Sequence, residues 1–173
     1  MTQQELSQAL VRAFRARGIT LGTAESCTGG LIAKCVTDIA GSSAVIMGGF
    51  VTYTNEIKTR LLGVDPHVFA EHTEVSHACA KAMASGARDA LGVTFAVSAT
   101  GYAGPGGGTD QDPVGTVYLG IASPRGVISE RFQAPLGSDR ETVRNAATCR
   151  ALELLIEQAE RELPLLTNHE GVL

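Results

Sequence analysis

The sequence predicts a three-layer α/β/α domain on a mixed β-sheet, and three observations carry that expectation. Apolar runs of strand length alternate with helical patterns along most of the chain. One run, Phe95-Ala96-Val97-Ser98-Ala99, is continuous, as in a strand covered on both faces. A turn at Pro124-Arg125-Gly126 joins two further runs into a hairpin, which makes the sheet mixed. With 173 residues and no internal repeat or linker, the expected organisation is one α/β domain over 1–162 and a loose tail, 163–173.

Taken in order, Leu6, Leu10 and Phe14 recur at four-residue steps, so residues 4–17 read as an amphipathic helix closed by Gly18. A short strand runs to Thr23. The helix from Leu31 buries Leu31, Ile32, Cys35 and Ile39 and stops near Gly41. Ala44 to Tyr53 is β-rich, and Gly48-Gly49 within it marks a bulge or a close backbone approach. Asn55 is placed to cap a short helix through Leu62, ended by Gly63, and Asp65-Pro66 starts another helical turn. Ser76 opens a longer helix, rich in small residues, to Leu91. After the Phe95 strand come a glycine loop at 101–108, strands from Val114 to Ala122 and from Val127 to Gln133, and a last helix over 139–162. That helix is capped near Ser138 and stopped by Pro164.

Composition narrows the function classes. Hydrophobic residues make up 44% and charged residues 18%, a globular balance. A net charge of −4 and a pI near 5.5 argue against a general grip on nucleic acid. No apolar run approaches membrane-spanning length, and Met1-Thr2-Gln3-Gln4-Glu5 is no signal peptide. Cys27, Cys35, Cys79 and Cys149 form no CxxC pair, as expected of reduced thiols in a cytoplasm. His67, His72, His77 and His169 lack metal-ligand spacing, so no metal is expected. The apolar tail Leu163-Pro164-Leu165-Leu166 is a candidate contact with a second copy in a homo-oligomer.

Four stretches could carry chemistry. Thr23-Ala24-Glu25-Ser26-Cys27-Thr28-Gly29-Gly30 puts a serine where a strand yields to a helix. Unpaired N–H groups there suit a nucleophile beside an oxyanion site, and equally an ordinary N-cap. Glu25 either orients this turn through backbone N–H groups or favours the helix start. Tyr53-Thr54-Asn55-Glu56-Ile57-Lys58 sets Tyr53 at a sheet edge and Lys58 on the first helical turn, able to lean over the same pocket. A Ser–Lys or Ser–Lys–Tyr set activates a hydroxyl without histidine, provided the lysine is neutral. Lowering an amine from ~10.4 costs roughly 1.4 kcal/mol per pH unit, which an apolar pocket can supply. A plain surface lysine is the alternative. The loop Gly101-Tyr102-Ala103-Gly104-Pro105-Gly106-Gly107-Gly108 is neither a Walker loop nor a dinucleotide fingerprint. It lets backbone approach a ligand, or is simply a surface loop. Arg140 opens the last helix, where a cation is disfavoured, as in a phosphate or carboxylate clamp or a local ion pair. Cys27 lacks a histidine partner in sequence, and His72 reads as a loop histidine.

On these residues the sequence resembles the C-terminal domain family of the competence/damage-inducible protein CinA, whose members include free-standing nicotinamide mononucleotide deamidases. The matching stretches are TAESCTGG (Thr23–Gly30), TDIAGSS (Thr37–Ser43), FVTYTNEIK (Phe50–Lys58), GYAGPGG (Gly101–Gly107), PVGTV (Pro113–Val117) and GSDRETVR (Gly137–Arg144). The resemblance implies a CinA C-terminal-like fold and an amidohydrolase of pyridine nucleotide salvage with no metal or cofactor. Its small-molecule nucleotide substrate would yield nicotinic acid mononucleotide and ammonia through a serine acyl-enzyme. It implies Ser26 as nucleophile, Lys58 and Tyr53 as its activators, and Thr28, Gly29 and Gly30 as the oxyanion-side backbone. Gly101, Tyr102, Gly104, Gly106, Gly107 and Arg140 fall where the nucleotide is held. Two departures stand out: Tyr102 replaces an aliphatic residue, and Thr73-Glu74 replaces a small pair. A binding or regulatory module without amidase activity, or a Ser–Lys hydrolase for another amide, are the competing functions.

Overall fold

Both faces of a central sheet carry apolar side chains, and each face has its own helical layer. The structure, a computed structural model, describes residues 1–165. The elements are α1 (Gln3–Arg17), β1 (Leu21–Glu25), α2 (Leu31–Thr37), β2 (Ile46–Val51), α3 (Asn55–Leu62), α4 (Pro66–His72), α5 (His77–Leu91), β3 (Phe95–Gly101), β4 (Thr116–Ser123), β5 (Gly126–Gln133) and α6 (Arg140–Glu162). The sheet order is β2-β1-β3-β4-β5. β1 runs parallel to β2 and β3, whereas β3, β4 and β5 pair antiparallel. The expected mixed three-layer fold is therefore the observed one.

One apolar layer joins α1, α2 and α6 to Leu21, Phe95, Val97, Leu119 and Ile121 of the sheet. The opposite layer sets α3 and α5 against Ala24, Ala96 and Ala122 through Leu62, Cys79, Met83 and Ala87. The strand residues alternate between the two layers as a pleat requires. Gly48-Gly49 supplies both features expected of it. The register against β1 slips between Leu21 and Gly22, leaving Met47 as an extra residue, and a Cβ at Gly49 would collide with Thr23 Oγ1.

Several boundaries differ from the sequence reading. Thr54, not Asn55, caps α3, its hydroxyl accepting from the Ile57 N–H at 3.3 Å. Asp139, not Ser138, caps α6 by accepting from Thr142 N–H at 2.8 Å; Ser138 instead donates to Pro135 O. The helix after Leu31 ends at Thr37, and a 3-10 turn at Ser42–Ala44 follows. The tail expected over 163–173 lies outside the described residues from 166 onward; Leu163 and Leu165 are exposed. Among the described residues no helix is long and apolar enough to cross a membrane.

The topology positions the site. β1, β2 and β3 point the same way, and the chain leaves β1 for one neighbour, β2, and later reaches its other neighbour, β3. Ligands of open α/β sheets gather beyond the carboxyl ends of strands where the order reverses. Ser26, Tyr53 and the 101–108 loop all lie directly after those three ends.

Candidate active site

Ser26 follows the last residue of β1, and its N–H donates to Ala99 O of β3 at 2.9 Å. The chain then reverses into α2 through Gly29 (φ +61°) and Gly30 (φ +95°), a left-handed pair that side chains resist. A buried carboxylate holds this turn. Glu25 accepts the N–H groups of Gly30 and Ile32 on one oxygen, both at 3.0 Å, and of Ala33 on the other at 2.9 Å. From α6, Arg144 donates to Thr28 O at 2.8 Å. Glu25 is thus the orienting group, and Ser26 is fixed from both sides of the turn.

Bonds to a charged acceptor contribute about 1.5–3 kcal/mol each, and three orphaned donors would remain. Glu25→Ala is expected to destabilise the protein by about 3–5 kcal/mol, and Glu25→Gln by roughly half as much. Thermal unfolding checks this, as a fall of about 10 °C or more for the alanine variant.

Lys58 sits on α3 and is 1% exposed. Its Nζ donates to Ser26 Oγ at 3.3 Å, joining residues 32 apart in sequence. Burial lowers the Lys58 pKa below that of an ordinary lysine, while the neighbouring Cys79, Glu74 and Cys27 pull the other way. Burial also pushes the thiols up, Cys27 to about 12 and Cys79 to about 11. At neutral pH both stay protonated, so neither is a thiolate nucleophile.

A cavity of about 190 Å³ opens over this pair. It brings together Ser26, Lys58, Tyr53, Gly101, Tyr102 and Arg140 from the sequence-nominated set, along with Cys27, Glu74, Val75, Thr100 and Ala103. Gly104, Gly106 and Gly107 do not line it. Gly104 lends its carbonyl to Arg140 at 2.7 Å, and Gly106 and Gly107 are exposed. Tyr53 is 60% exposed, and its hydroxyl accepts from Arg140 at 2.9 Å, so these two form the rim. The turn's N–H groups divide. Gly29 donates to Ser26 O at 3.0 Å and Gly30 to Glu25, which leaves Cys27 and Thr28 as the N–H groups without an acceptor among the described residues.

Sequence reasoning passed over three contributors. Arg144 lies four residues after Arg140 on one helix face, and that spacing was the available signal. Glu74 was noted only as a departure, and Thr100 carried no signal beyond following a buried strand. Tyr102 and Val75 also border a second cavity of about 920 Å³, where His72 lies. Among the described residues no group of three His, Cys, Asp or Glu side chains is arranged to hold a metal ion.

Comparisons with known proteins show the family of the chain. The family profile "CinA C-terminal domain" matches residues 3–159. A "CinA-like protein" of Myxococcus xanthus is 49% identical over 84% of this chain and 34% of its own length. The "Nicotinamide-nucleotide amidohydrolase PncC" of Escherichia coli is 47% identical over 89% of this chain and 93% of its own. The chain therefore spans about a third of the CinA-like relatives, as in Myxococcus xanthus (34%), but nearly all of the second protein (93%). In three dimensions the chain is similar to the competence/damage inducible protein CihA of Agrobacterium tumefaciens. The TM-score is 0.85 at 43% identity, over 90% of this chain and 94% of that one. A CinA superfamily protein of Klebsiella pneumoniae gives 0.88 at 35% identity, over 93% and 99%.

Proposed function

This chain belongs to the CinA C-terminal domain family, and on that premise we propose that it hydrolyses the carboxamide of nicotinamide mononucleotide. The products are nicotinic acid mononucleotide and ammonia, a step of pyridine nucleotide salvage. The observation that carries the reading is a fully buried lysine hydrogen-bonded to a serine at the carboxyl end of β1. Burial favours the neutral amine, which can accept the proton that Ser26 must lose.

In acylation Ser26 Oγ bonds to the carboxamide carbon while its proton passes to Lys58. The tetrahedral oxyanion is received by the free N–H groups of Cys27 and Thr28 rather than by those of Gly29 and Gly30, which are already engaged. One such donor is worth roughly 3–4 kcal/mol in the transition state. The C–N bond then breaks, the Lys58 ammonium returns its proton, and ammonia leaves. Water adds to the acyl carbon by the same route in reverse and frees Ser26 with the acid product. No cofactor enters any step.

Tyr53 and Arg140 act at the rim. A cavity of about 190 Å³ takes a pyridine carboxamide ring and leaves ribose and phosphate outside, where the Arg140 guanidinium can meet an anion. The four free cysteines suit a reducing cytoplasm. Ammonia release from the mononucleotide, free nicotinamide and simple aliphatic amides tests the reading. The expected result is turnover of the mononucleotide with free nicotinamide at least tenfold poorer, since remote binding positions the ring. Equal turnover of simple amides would point to a broader Ser–Lys amidase, and no release from any of them to a binding module.

A further inference from the structure

We propose that Glu74 and Tyr102 form a wall that recognises the positive charge of the substrate ring, so that the pocket selects cationic N-ribosylated carboxamides over neutral ones. The inference rests on the mononucleotide reading above and adds a specificity device to it. Both residues line the cavity that holds Ser26 and Lys58.

The backbone under each side chain is fixed. Thr100 Oγ1, at the end of β3, donates to Glu74 O at 2.6 Å. Tyr102 is held from two sides, its N–H donating to Thr116 O at 2.9 Å and its carbonyl accepting from Gly115 N–H at 2.7 Å. Among the described residues Glu74 supplies the only carboxylate lining the cavity, and that carboxylate has no hydrogen bond or ion pair there. The position is exposed, and the preceding residue, Thr73, is the only described non-glycine residue at positive φ (+67°).

Charge supplies the second half of the argument. Burial favours the neutral form of Lys58, and the cavity lining carries the Glu74 carboxylate and, at the rim, the Arg140 cation. A molecule with a cationic ring and an anionic phosphate matches that order; neutral nicotinamide matches neither end. A carboxylate beside an aromatic ring is also a common way to hold an organic cation. Glu74 and Lys58 are coupled as well, since the carboxylate favours the Lys58 ammonium in the empty site. A cationic ring arriving between them offsets that effect and returns the amine to its basic form. Cys79 and Cys27, the other titratable groups facing Lys58, pull its pKa the same way as Glu74, while burial keeps their own thiols protonated at neutral pH.

Calorimetry in a Ser26→Ala background tests the wall without turnover. The probes are the mononucleotide and its reduced dihydropyridine counterpart, which keeps the carboxamide, ribose and phosphate but loses the ring charge. The cationic form is expected to bind about tenfold more tightly, the combined effect of a part-exposed charge pair and a cation–aromatic contact. In Ser26→Ala/Glu74→Gln that preference should fall to about twofold or less, and Tyr102→Leu should reduce it by about threefold. In the Glu74→Gln enzyme the acid limb of kcat/KM should move to lower pH, because the Lys58 ammonium has lost a neighbouring anion. A preference that survives Glu74→Gln overturns the inference, while turnover of the mononucleotide by the wild type keeps the parent reading intact. Absence of ammonia from the wild type overturns that reading, and this inference with it.

Discussion

Ser26→Ala is expected to reduce ammonia release from the mononucleotide by a factor on the order of 10⁵, close to the effect of deleting the whole nucleophilic set. The reasoning is local. Among the described residues the hydroxyl is the one hydrogen-bond partner of the Lys58 amine, and the neighbouring thiol does not stand in for it as a thiolate, since burial pushes the Cys27 pKa up to about 12. The fold should be nearly untouched. One hydrogen bond is lost, and the change in stability should stay within about 1 kcal/mol. Steady-state turnover with a thermal melt of the same sample checks both halves. Mass spectrometry of the wild type during turnover should trap an acyl adduct on the peptide carrying Ser26; unchanged turnover in the variant would remove that hydroxyl from the chemistry.

Lys58→Met should lose a factor of about 10³–10⁴ in turnover and gain stability in the same step. Methionine fills similar space without a polar atom to desolvate, and a gain of about 1–2 kcal/mol is expected at neutral pH. The pH dependence separates this from simple repacking. A lysine whose folded pKa is lowered binds fewer protons in the folded than in the unfolded chain between that value and the ordinary 10.5. Its contribution therefore makes stability rise with pH across that window, and the penalty is complete below it. In Lys58→Met that rise should vanish, so the gain is largest below the lowered pKa and shrinks as pH rises toward 10.5. Lys58→Arg should be no rescue, because a guanidinium does not give up its proton. A Lys58→Met enzyme with near-normal turnover would make Lys58 structural only.

The elements were legible because their signals are local. Leu6, Leu10 and Phe14 declare α1 by spacing alone, and the uninterrupted Phe95–Ala99 run announces a strand covered on both faces, as the two apolar layers require. The partnership of Ser26 with Lys58 is another matter. Thirty-two residues separate them, and only the placement of β2 beside β1 brings α3 over the turn. Composition and spacing could nominate both residues but not join them; the resemblance did that. Tyr53 lines the same cavity, and its hydroxyl accepts from Arg140, a partner that arrives from the far end of the chain and that local spacing does not announce. The turn's N–H groups were assigned as a block, and their division depends on where the Glu25 carboxylate folds back. No periodicity encodes that.

On the mononucleotide reading, the same carboxylate keeps the substrate's phosphate away from the start of α2. Helix starts commonly harbour anions, but here the berth is filled from within, by an internal tenant three hydrogen bonds deep. An incoming phosphate must turn to side-chain cations at the mouth instead. Recognition of the nucleotide tail and presentation of the attacking hydroxyl thereby fall to separate parts of the architecture, and either could drift in evolution without dismantling the other.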